Sequence, residues 1–341
     1  MFGRLRLVRT LFTLAPTAAR TIKLVTFNIH GWRDAEHTDN FDRLVELLQQ
    51  LKPDVLCLNE IMHPFAAPAA DDPYWQAVRD RHAHGYPPPA GSRPDDEAES
   101  NLCRLADALD LPHWTFGAAV ATEPEPQPFR KSFFGQYPFG NGILSRFELG
   151  DIRHTLLKVT PVDLSLGGQA RTPDDLEDRQ MTTAVVQLPG GGCLGVCSTH
   201  LDHKSELLRE RQIGRVVAHC AAAFNDKLPH VVCGDLNSYD RNDMTAEQWE
   251  SITALYAKRG WGDAPPDSKV QRVLRDAGYT DAFAIAPSSS VGGETPPRTC
   301  WTNTRLDYVM CQGDVGVLRF ETIESDASDH LPVVVELEVP D

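Results

Sequence analysis

Short apolar runs and amphipathic helical segments alternate along most of this chain. Apolar runs rich in β-branched residues predict buried strands, and they cover residues 21–27, 54–58, 114–120, 141–146, 181–188, 193–197, 230–233, 305–310 and 331–337. Apolar positions three or four residues apart predict helices over residues 41–51, 102–109, 205–224, 245–255 and 270–274. The alternation of strands with helices predicts an α/β protein with a large buried core.

Polar side chains stand at the ends of six of the predicted strands. They are Asn28, Glu60, His200, Asp235 with Asn237, Asp307, and Asp329 with His330. If the strand continued, alternate side chains would lie on the same face, so Asp235 and Asn237 would point the same way. By itself, however, Gly-Asp-Leu-Asn is also a common turn sequence. The repetition of polar groups at six strand ends predicts that they meet in one site at the rim of a sheet or sandwich.

Three segments interrupt the regular pattern. Residues 64–100 contain a triple proline and an acidic run, and residues 164–178 show no regular spacing. Residues 241–266 include a helix that starts with a capping-box sequence at Thr245. Because there is no internal repeat and no long linker, we expect a single domain over residues 21–341 with these three insertions.

Residues 1–20 differ in composition from the rest of the chain. They contain four arginines among leucines and other apolar residues, and no acidic residue. This composition is typical of a mitochondrial transit peptide, and a disordered N-terminus before the first strand is the alternative. No window reaches the roughly 18 apolar residues of a membrane-spanning helix. We therefore expect an intracellular protein without a transmembrane segment, mitochondrial if residues 1–20 act in targeting and cytoplasmic otherwise.

Cysteine usage and net charge limit the classes of partner. The eight cysteines stand mostly inside apolar runs without the C-x2-C spacing of a zinc site, so we expect them to be reduced and buried. The 33 Lys and Arg residues against 48 Asp and Glu residues give a net charge of −15. Such a surface repels polyanions, so a broad nucleic-acid footprint is not expected, although a bound metal still allows a phosphate to be held locally.

The residue types at the strand ends narrow the chemistry. Carboxylates without clustered cysteines favour a hard cation such as Mg²⁺ or Mn²⁺, and amides and histidines suit phosphoryl binding and proton transfer. The chain contains neither the H-E-x-x-H spacing of zinc proteases nor the G-x-S-x-G elbow of serine hydrolases. Hydrolysis of a phosphate ester by an activated water is the hypothesis that remains.

A series of short motifs resembles, in the same order, the motifs of the endonuclease/exonuclease/phosphatase superfamily. They are Asn28-Ile29-His30-Gly31, Asn59-Glu60, Gly140-Asn141-Gly142-Ile143-Leu144-Ser145, Thr199-His200-Leu201, Gly234-Asp235-Leu236-Asn237, Arg305-Leu306-Asp307-Tyr308 and Ser328-Asp329-His330. The chain departs from the family pattern at Asn59, where the family usually has Gln, and in the segment from Met244 to Trp261, which is not part of the common core.

This resemblance implies an α/β (α+β), DNase I-like fold. In this fold, a four-layer α/β/β/α sandwich, two mixed β-sheets pack face to face, the helices lie outside, and the active site lies at one edge of the sheets. The resemblance also implies a bound Mg²⁺, with Mn²⁺ as the alternative. Glu60 would be the main metal ligand, assisted by Asn28 and Asp329.

Roles for the other polar residues also follow from the resemblance. Asp235 would position or deprotonate the attacking water, and His330, oriented by Asp307, would stabilise the phosphoryl group. His200 and Asn237 would bind the phosphoryl group as well, and Asn28 would assist in substrate binding.

We therefore expect a Mg²⁺-dependent hydrolase, a phosphodiesterase acting on nucleic acid or a nucleotide-like substrate. A phosphoesterase acting on phospholipid, sphingomyelin or inositol phosphate is an alternative, and a catalytically inactive binding module on the same fold is another. No obligate protein partner is indicated. Asp202 and His203 are either a feature of a subgroup or the polar turn before a helix.

Overall fold

The computed structural model describes residues 19–63, 100–120, 139–158, 179–225, 227–288 and 296–341. The strands are β1 (Ala19–Asn28), β2 (Val55–Met62), β3 (His113–Val120), β4 (Phe139–Ser145), β5 (Leu149–Leu157), β6 (Arg179–Gln187), β7 (Cys193–Thr199), β8 (His230–Asp235), β9 (Thr280–Asp281), β10 (Asp307–Gln312), β11 (Gly316–Thr322) and β12 (Val333–Pro340). The helices are α1 (Phe41–Leu51), α2 (Asn101–Leu109), α3 (Glu206–Phe224), α4 (Ala246–Arg259), α5 (Lys269–Asp276) and α6 (Ala282–Ile285), with a 3₁₀ turn at Arg241–Asp243.

The strands form two six-stranded sheets. Sheet I has the strand order β11-β12-β1-β2-β4-β3, and sheet II has the order β5-β6-β7-β8-β10-β9. In sheet I, β1 runs parallel to β2 and antiparallel to β12. In sheet II, β7 runs parallel to β8, whereas β8 and β10 are antiparallel. Both sheets are therefore mixed, as expected.

The central strands are buried on both faces. In β1, Val25 and Phe27 belong to the core that sheet I shares with α1 and α2, whereas Ile22 and Leu24 belong to the core between the two sheets. Successive side chains of a strand point to opposite faces, which accounts for this division. On the far face of sheet II, Val232 packs with apolar residues of α3 and α5. The order of layers is helices, sheet I, sheet II, helices, which confirms the four-layer DNase I-like sandwich.

The predicted strands and helices form close to their expected positions, but the sequence pattern does not predict two edge strands. β5 leaves most of its side chains exposed, and β11 is interrupted by a bulge between Val317 and Arg319. An edge strand needs no continuous apolar run, and a bulge breaks the period of two. The short β9 and α6 also lack a predicted counterpart.

The insertion at residues 241–266 folds onto the domain as a small layer of its own. Thr245 and Gln248 form the expected capping box at the start of α4. Apolar residues of this segment, including Ile252 and Tyr256, are buried together with Cys300. Unlike a loose loop, this insertion is therefore a packed part of the structure.

The other expected boundaries are only partly covered. The insertion at 64–100 lies outside the described residues except for Ser100, which caps α2, and the insertion at 164–178 lies wholly outside them. Residues 1–18 are also outside, but Ala19 and Arg20 belong to β1, so this strand begins before the predicted domain start at residue 21. Among the described helices, none combines the length and apolar character needed to cross a membrane.

The C-terminal end of β8 is tightly packed against β7 of its own sheet and against Asn59 of sheet I. Gly234 has a φ of +128°, and a Cβ built there would lie 2.0 Å from the backbone oxygen of Thr199 and 2.8 Å from Oδ1 of Asn59. The position therefore requires glycine both for its backbone conformation and for the space.

We predict that Gly234→Ala lowers the free energy of unfolding by on the order of 3 kcal/mol, because the methyl group displaces a central strand. The matched control is Gly214→Ala in α3, where a Cβ meets nothing within 4 Å, and which should raise stability by roughly 0.5–1 kcal/mol. Urea unfolding followed by circular dichroism measures both. Equal stabilities of the two variants would contradict the prediction.

Candidate active site

Carboxylates from the two sheets meet at one end of the sandwich. The end of β1 places Asn28 opposite Asn59 of β2. The side-chain amide nitrogen of Asn28 donates to Oε1 of Glu60 at 3.1 Å and to Oδ2 of Asp235 at 3.1 Å. Since Glu60 belongs to sheet I and Asp235 to sheet II, the Asn28 amide links the two sheets within the site.

Glu60 reaches this site through a bulge. The sequence pattern predicts that this strand ends before Glu60. In the structure β2 continues to Met62, with a register shift between Leu58 and Ile61. Glu60 itself has a φ of 59°. A bulge changes the direction of the side chain it carries, and it brings the Glu60 carboxylate to 3.9 Å from Nδ1 of His200.

Asp235 and Asn237 share the site for a different reason than strand alternation. β8 ends at Asp235, and Oδ1 of Asp235 accepts the backbone N–H of Asn237 at 2.8 Å. Asn237 has a φ of 49°, as in a tight turn closed by the aspartate side chain. The turn places the amide nitrogen of Asn237 2.9 Å from Nε2 of His200 and 3.1 Å from the Leu201 oxygen, to which it donates.

Two histidines face the same oxygen of Asp235. Nε2 of His200 lies 3.5 Å from Oδ2 of Asp235, and Nε2 of His330 lies 3.7 Å from it. Nδ1 of His330 lies 2.8 Å from Oδ2 of Asp307. Asp307 begins β10 and pairs with Asp235 across the two strands, which accounts for the convergence of these residues.

Burial raises the pKa values of two carboxyl groups of the site, Asp235 and Glu60. The pKa of Asp235 is raised to about 6 by burial, against the opposing charge of His330. The pKa of Glu60 is raised to about 7 by burial and by the negative charge of Asp329. Asp235 is therefore a stronger base than an exposed aspartate and still largely ionised at neutral pH.

The two histidines have opposite protonation states. Burial opposes protonation of both, but for His330 the carboxylates of Asp307 and Asp235 outweigh it and raise the pKa well above the ordinary value. For His200, burial and the positive charge of Arg179 lower the pKa well below the ordinary value. At neutral pH the site therefore holds an imidazolium at His330 and a neutral imidazole at His200.

Arg179 belongs to the site although the sequence analysis does not single it out. Its Nη1 lies 3.2 Å from Nδ1 of His200, and its Nη2 lies 3.1 Å from Nδ1 of His203. Met181 pairs with Thr199 in the β6–β7 hairpin, so the start of β6 lies beside the end of β7. The predicted hairpin is the signal that would have found Arg179.

Asp202 and His203, in the turn after β7, have different surroundings. Oδ1 of Asp202 accepts the backbone N–H groups of Lys204 and Ser205 at 2.9 and 2.7 Å, so Asp202 closes the turn before α3 and stays outside the site. His203 lines the same cavity as His200. The turn before α3 therefore accounts for Asp202 but not for His203.

These residues surround a cavity of about 270 Å³. The catalytic end of the cavity is lined by Glu60, Arg179, His200, Asp235, Asn237, Asp329 and His330. Other parts of the lining come from the insertion and from the turn after Cys300, through Leu255, Trp261 and Trp301. Asp307 and Asn28 act from behind this surface, through their hydrogen bonds to His330 and to the carboxylates.

The sequence matches the model of the endonuclease/exonuclease/phosphatase family over residues 25–330. The chain belongs to this family. Among curated proteins, no sequence matches the chain.

Solved structures of the endonuclease/exonuclease/phosphatase family share the fold at low identity. A family member from Beutenbergia cavernae is 20% identical with a TM-score of 0.62, and the match covers 94% of this chain and 72% of that one. A mannosyl-6-phosphatase from Bacteroides thetaiotaomicron is 14% identical with a TM-score of 0.55, covering 93% and 99% of the two chains. ANGEL2, a 2′,3′-cyclic phosphatase, is 12% identical with a TM-score of 0.56, covering 96% and 99%.

Proteins of the endonuclease/exonuclease/phosphatase family generally bind a divalent metal, and the donor groups here fit one. Glu60 and Asp329 line one cavity, and the charge of Asp329 contributes to the raised pKa of Glu60. A cation beside them relieves this repulsion, and carboxylate oxygens are the ligands that Mg²⁺ prefers.

A second group of possible ligands lies next to the first. Among the described residues, ligand atoms of Asp235, Asp307 and His330 lie within 4.8 Å of one another. However, Asp307 and His330 already share a hydrogen bond of 2.8 Å, so a cation would fit better on the side of Glu60 and Asp329. The ligand roles of Glu60, Asp329 and Asn28 stay predictions, and the Asn28 oxygen already accepts the backbone N–H of His30 at 3.0 Å.

We predict that Glu60→Gln makes the metal-free protein more stable and removes its stabilisation by Mg²⁺. Because the pKa of Glu60 is raised to about 7 in the folded protein, the folded state loses stability as the pH rises from the ordinary glutamate range to about 7. The neutral amide avoids this loss, so the Tm at pH 8 in EDTA should rise by about 1–3 °C. Thermal melting with and without Mg²⁺ measures both effects.

Glu46→Gln on the exposed side of α1 is the matched control and should change neither value. If Glu60→Gln is still stabilised by Mg²⁺ as strongly as the wild type, the metal does not bind at Glu60.

Proposed function

We propose that this protein is a metal-dependent hydrolase that cleaves a phosphoester bond in a nucleotide or at the end of a nucleic-acid chain. The arrangement around Oδ2 of Asp235 is the main support: Asn28, His200 and His330 lie within 3.1 to 3.7 Å of this one oxygen. A buried base with an ionised carboxylate, beside groups that bind a phosphoryl oxygen, is what hydrolysis by an activated water requires.

In the proposed reaction Asp235 accepts a proton from the attacking water. Its pKa of about 6 keeps it ionised at neutral pH and makes it basic enough to take up the proton as the water attacks. The hydrogen bonds from Asn28 Nδ2 and the Asn237 backbone hold the carboxylate in one orientation. The water therefore meets a fixed base.

The phosphoryl group is bound by three donors of different character. The imidazolium of His330 and the guanidinium of Arg179 supply positive charge, and the amide of Asn237 supplies a neutral donor. Negative charge that develops on the phosphoryl oxygens is stabilised by such fixed donors. His330 is also the group that can give a proton to the leaving oxygen, since it is the protonated histidine of the pair.

Glu60 and Asp329 would hold the divalent cation, with Asn28 beside them. When bound, the cation supplies Lewis-acid stabilisation of the phosphoryl oxygens. The net charge of −15 makes this local positive charge more important, because an acidic protein repels a polyanion.

The size of the cavity and the charge of the chain favour a small or terminal substrate unit. A volume of about 270 Å³ is at the lower limit of ordinary ligand cavities, roughly 300–1,000 Å³. The net charge of −15 disfavours the interior of a duplex. A sugar phosphate is a second candidate, because one structural neighbour is a mannosyl-6-phosphatase.

The proposal is tested with a substrate panel assayed with Mg²⁺ and with EDTA. The panel contains single-stranded RNA and DNA, mononucleotides, a 2′,3′-cyclic nucleotide, mannose 6-phosphate, sphingomyelin and phosphoinositides. We expect Mg²⁺-dependent release from a nucleotide or oligonucleotide. Asp235→Ala should reduce kcat by roughly 100- to 10,000-fold and His330→Ala by roughly 100- to 1,000-fold.

Asp314→Asn, an exposed aspartate beyond β10, is the control and should be fully active. Turnover that survives Asp235→Ala would remove the proposed base. Preferential hydrolysis of a lipid, an inositol phosphate or mannose 6-phosphate would replace the proposed substrate class.

A separate prediction concerns pH. Activity should rise with pH as Asp235 ionises, and this acidic limb of the pH profile should lie near pH 6, or lower when a cation is bound. On the alkaline limb, activity should fall when His330 loses its proton. Asp307 raises the pKa of His330 and also contributes to the raised pKa of Asp235. Asp307→Asn should therefore move the alkaline limb to lower pH by about one unit or more.

The measurement is kcat/KM between pH 4 and 10 at saturating Mg²⁺ for the wild type and Asp307→Asn. An unchanged alkaline limb, with only a uniform loss of activity, would show that Asp307 does not set the protonation of His330.

A further inference from the structure

The insertion at residues 241–266 and the turn after Cys300 form an apolar wall on one side of the catalytic cavity. Leu255 and Trp261 from the insertion and Trp301 and Leu306 from the second segment line this wall. Trp301 is 56% exposed, more than any other large apolar side chain in the described parts of the chain. A tryptophan exposed at the mouth of a cavity is expected where a ligand covers it.

The wall is held rigidly by the insertion. Nε2 of Gln248 in α4 donates to the backbone oxygen of Asn303 at 2.6 Å, which ties the turn carrying Trp301 to the insertion. On the other side, the fully buried Arg209 donates to the hydroxyl of Tyr256 at 3.0 Å and to the Asp202 oxygen at 2.9 Å. The insertion is thus joined both to the Trp301 turn and to the segment that carries His200 and His203.

The apolar wall continues directly into the phosphoryl-binding groups. The ring of Trp261 stands edge to face with His203, with the centroids 5.7 Å apart and an angle of 78° between the planes. Trp261 also packs against Tyr256 at 5.5 Å. His203 in turn lies 3.1 Å from Arg179. A substrate bound by its phosphate at Arg179 and His330 would therefore have its organic part beside Trp261 and Trp301.

We propose that Trp261 and Trp301 form a subsite for the nucleobase of the substrate unit, an inference that rests on the proposed function. Indole faces stack on bases of any sequence. The four wall residues offer only two indole N–H groups as polar partners, which suits the π-face of a base better than the many hydroxyls of a sugar. The subsite would make selection depend on the presence of a base and little on its identity.

Binding is measured first, without catalysis. Adenosine, AMP and UMP are titrated by calorimetry in EDTA against the wild type, Trp301→Ala and Trp301→Phe. We expect Trp301→Ala to weaken all three by about tenfold, and Trp301→Phe, which keeps a ring for stacking, to recover most of the affinity. Leu318→Ala, which removes another exposed apolar side chain, from β11, is the control and should bind like the wild type.

Turnover is then compared for AMP and ribose 5-phosphate, which differ only by the base. Trp301→Ala should lower the ratio of kcat/KM between them by about tenfold, mainly through KM. A second variant, Trp261→Phe, tests the other ring, and its melting temperature shows whether the insertion stays folded.

The outcomes separate this inference from the proposed function. If phosphoesters are cleaved but Trp301→Ala changes neither adenosine binding nor the ratio, the base subsite is wrong and the hydrolase proposal stands. If no phosphoester is cleaved but binding of adenosine depends on Trp301, the subsite stands and the hydrolase proposal fails. A Trp301-dependent preference for mannose 6-phosphate over AMP would also overturn the base subsite.

Discussion

The buried amide of Asn59 joins the ends of the two sheets where the candidate site lies. Asn59 of β2 accepts the backbone N–H of Asp235 at 2.9 Å, and it donates to Oδ1 of Asn141 at 2.9 Å and to the oxygen of Thr199 at 3.2 Å. Because Asn59 is completely buried, leaving any of these groups unpaired would be costly. The bonds join β2, β4, β7 and β8, and the missing side chain of Gly234 allows this approach. The positions of the reactive groups therefore depend on a contact that no substrate touches.

The close approach of the sheets also determines the electrostatics of the site. Carboxylates are removed from water there, and each needs a partner. Asp307 has the imidazolium of His330 as its partner. Asp329 has His30 at 3.7 Å, and its negative charge contributes to the raised pKa of Glu60, which is a reason for a cation beside Glu60.

One buried arginine supports both the insertion and β10. Arg305, almost completely buried, donates to Oδ1 of Asp281 at 2.6 Å, lies 3.6 Å from Oδ2 of Asp243 in the insertion, and stacks over Tyr308 at 4.2 Å. It also precedes Asp307 by two residues. Arg305 therefore connects the insertion to β10, the strand that carries Asp307.

The residue pattern is sufficient to predict much of the fold and of the candidate site. Central strands that are buried on both faces must be apolar, so polar residues at their ends are easily recognised. It led to the layers, to Asp235, His330 and their neighbours, and to the family. It was not sufficient for the edge strands, for Arg179, or for the different protonation states of His200 and His330. The sequence alone does not distinguish the surroundings of two histidines. Their pKa values depend on whether a carboxylate or a guanidinium faces each ring, and that is settled by contacts between residues far apart in sequence.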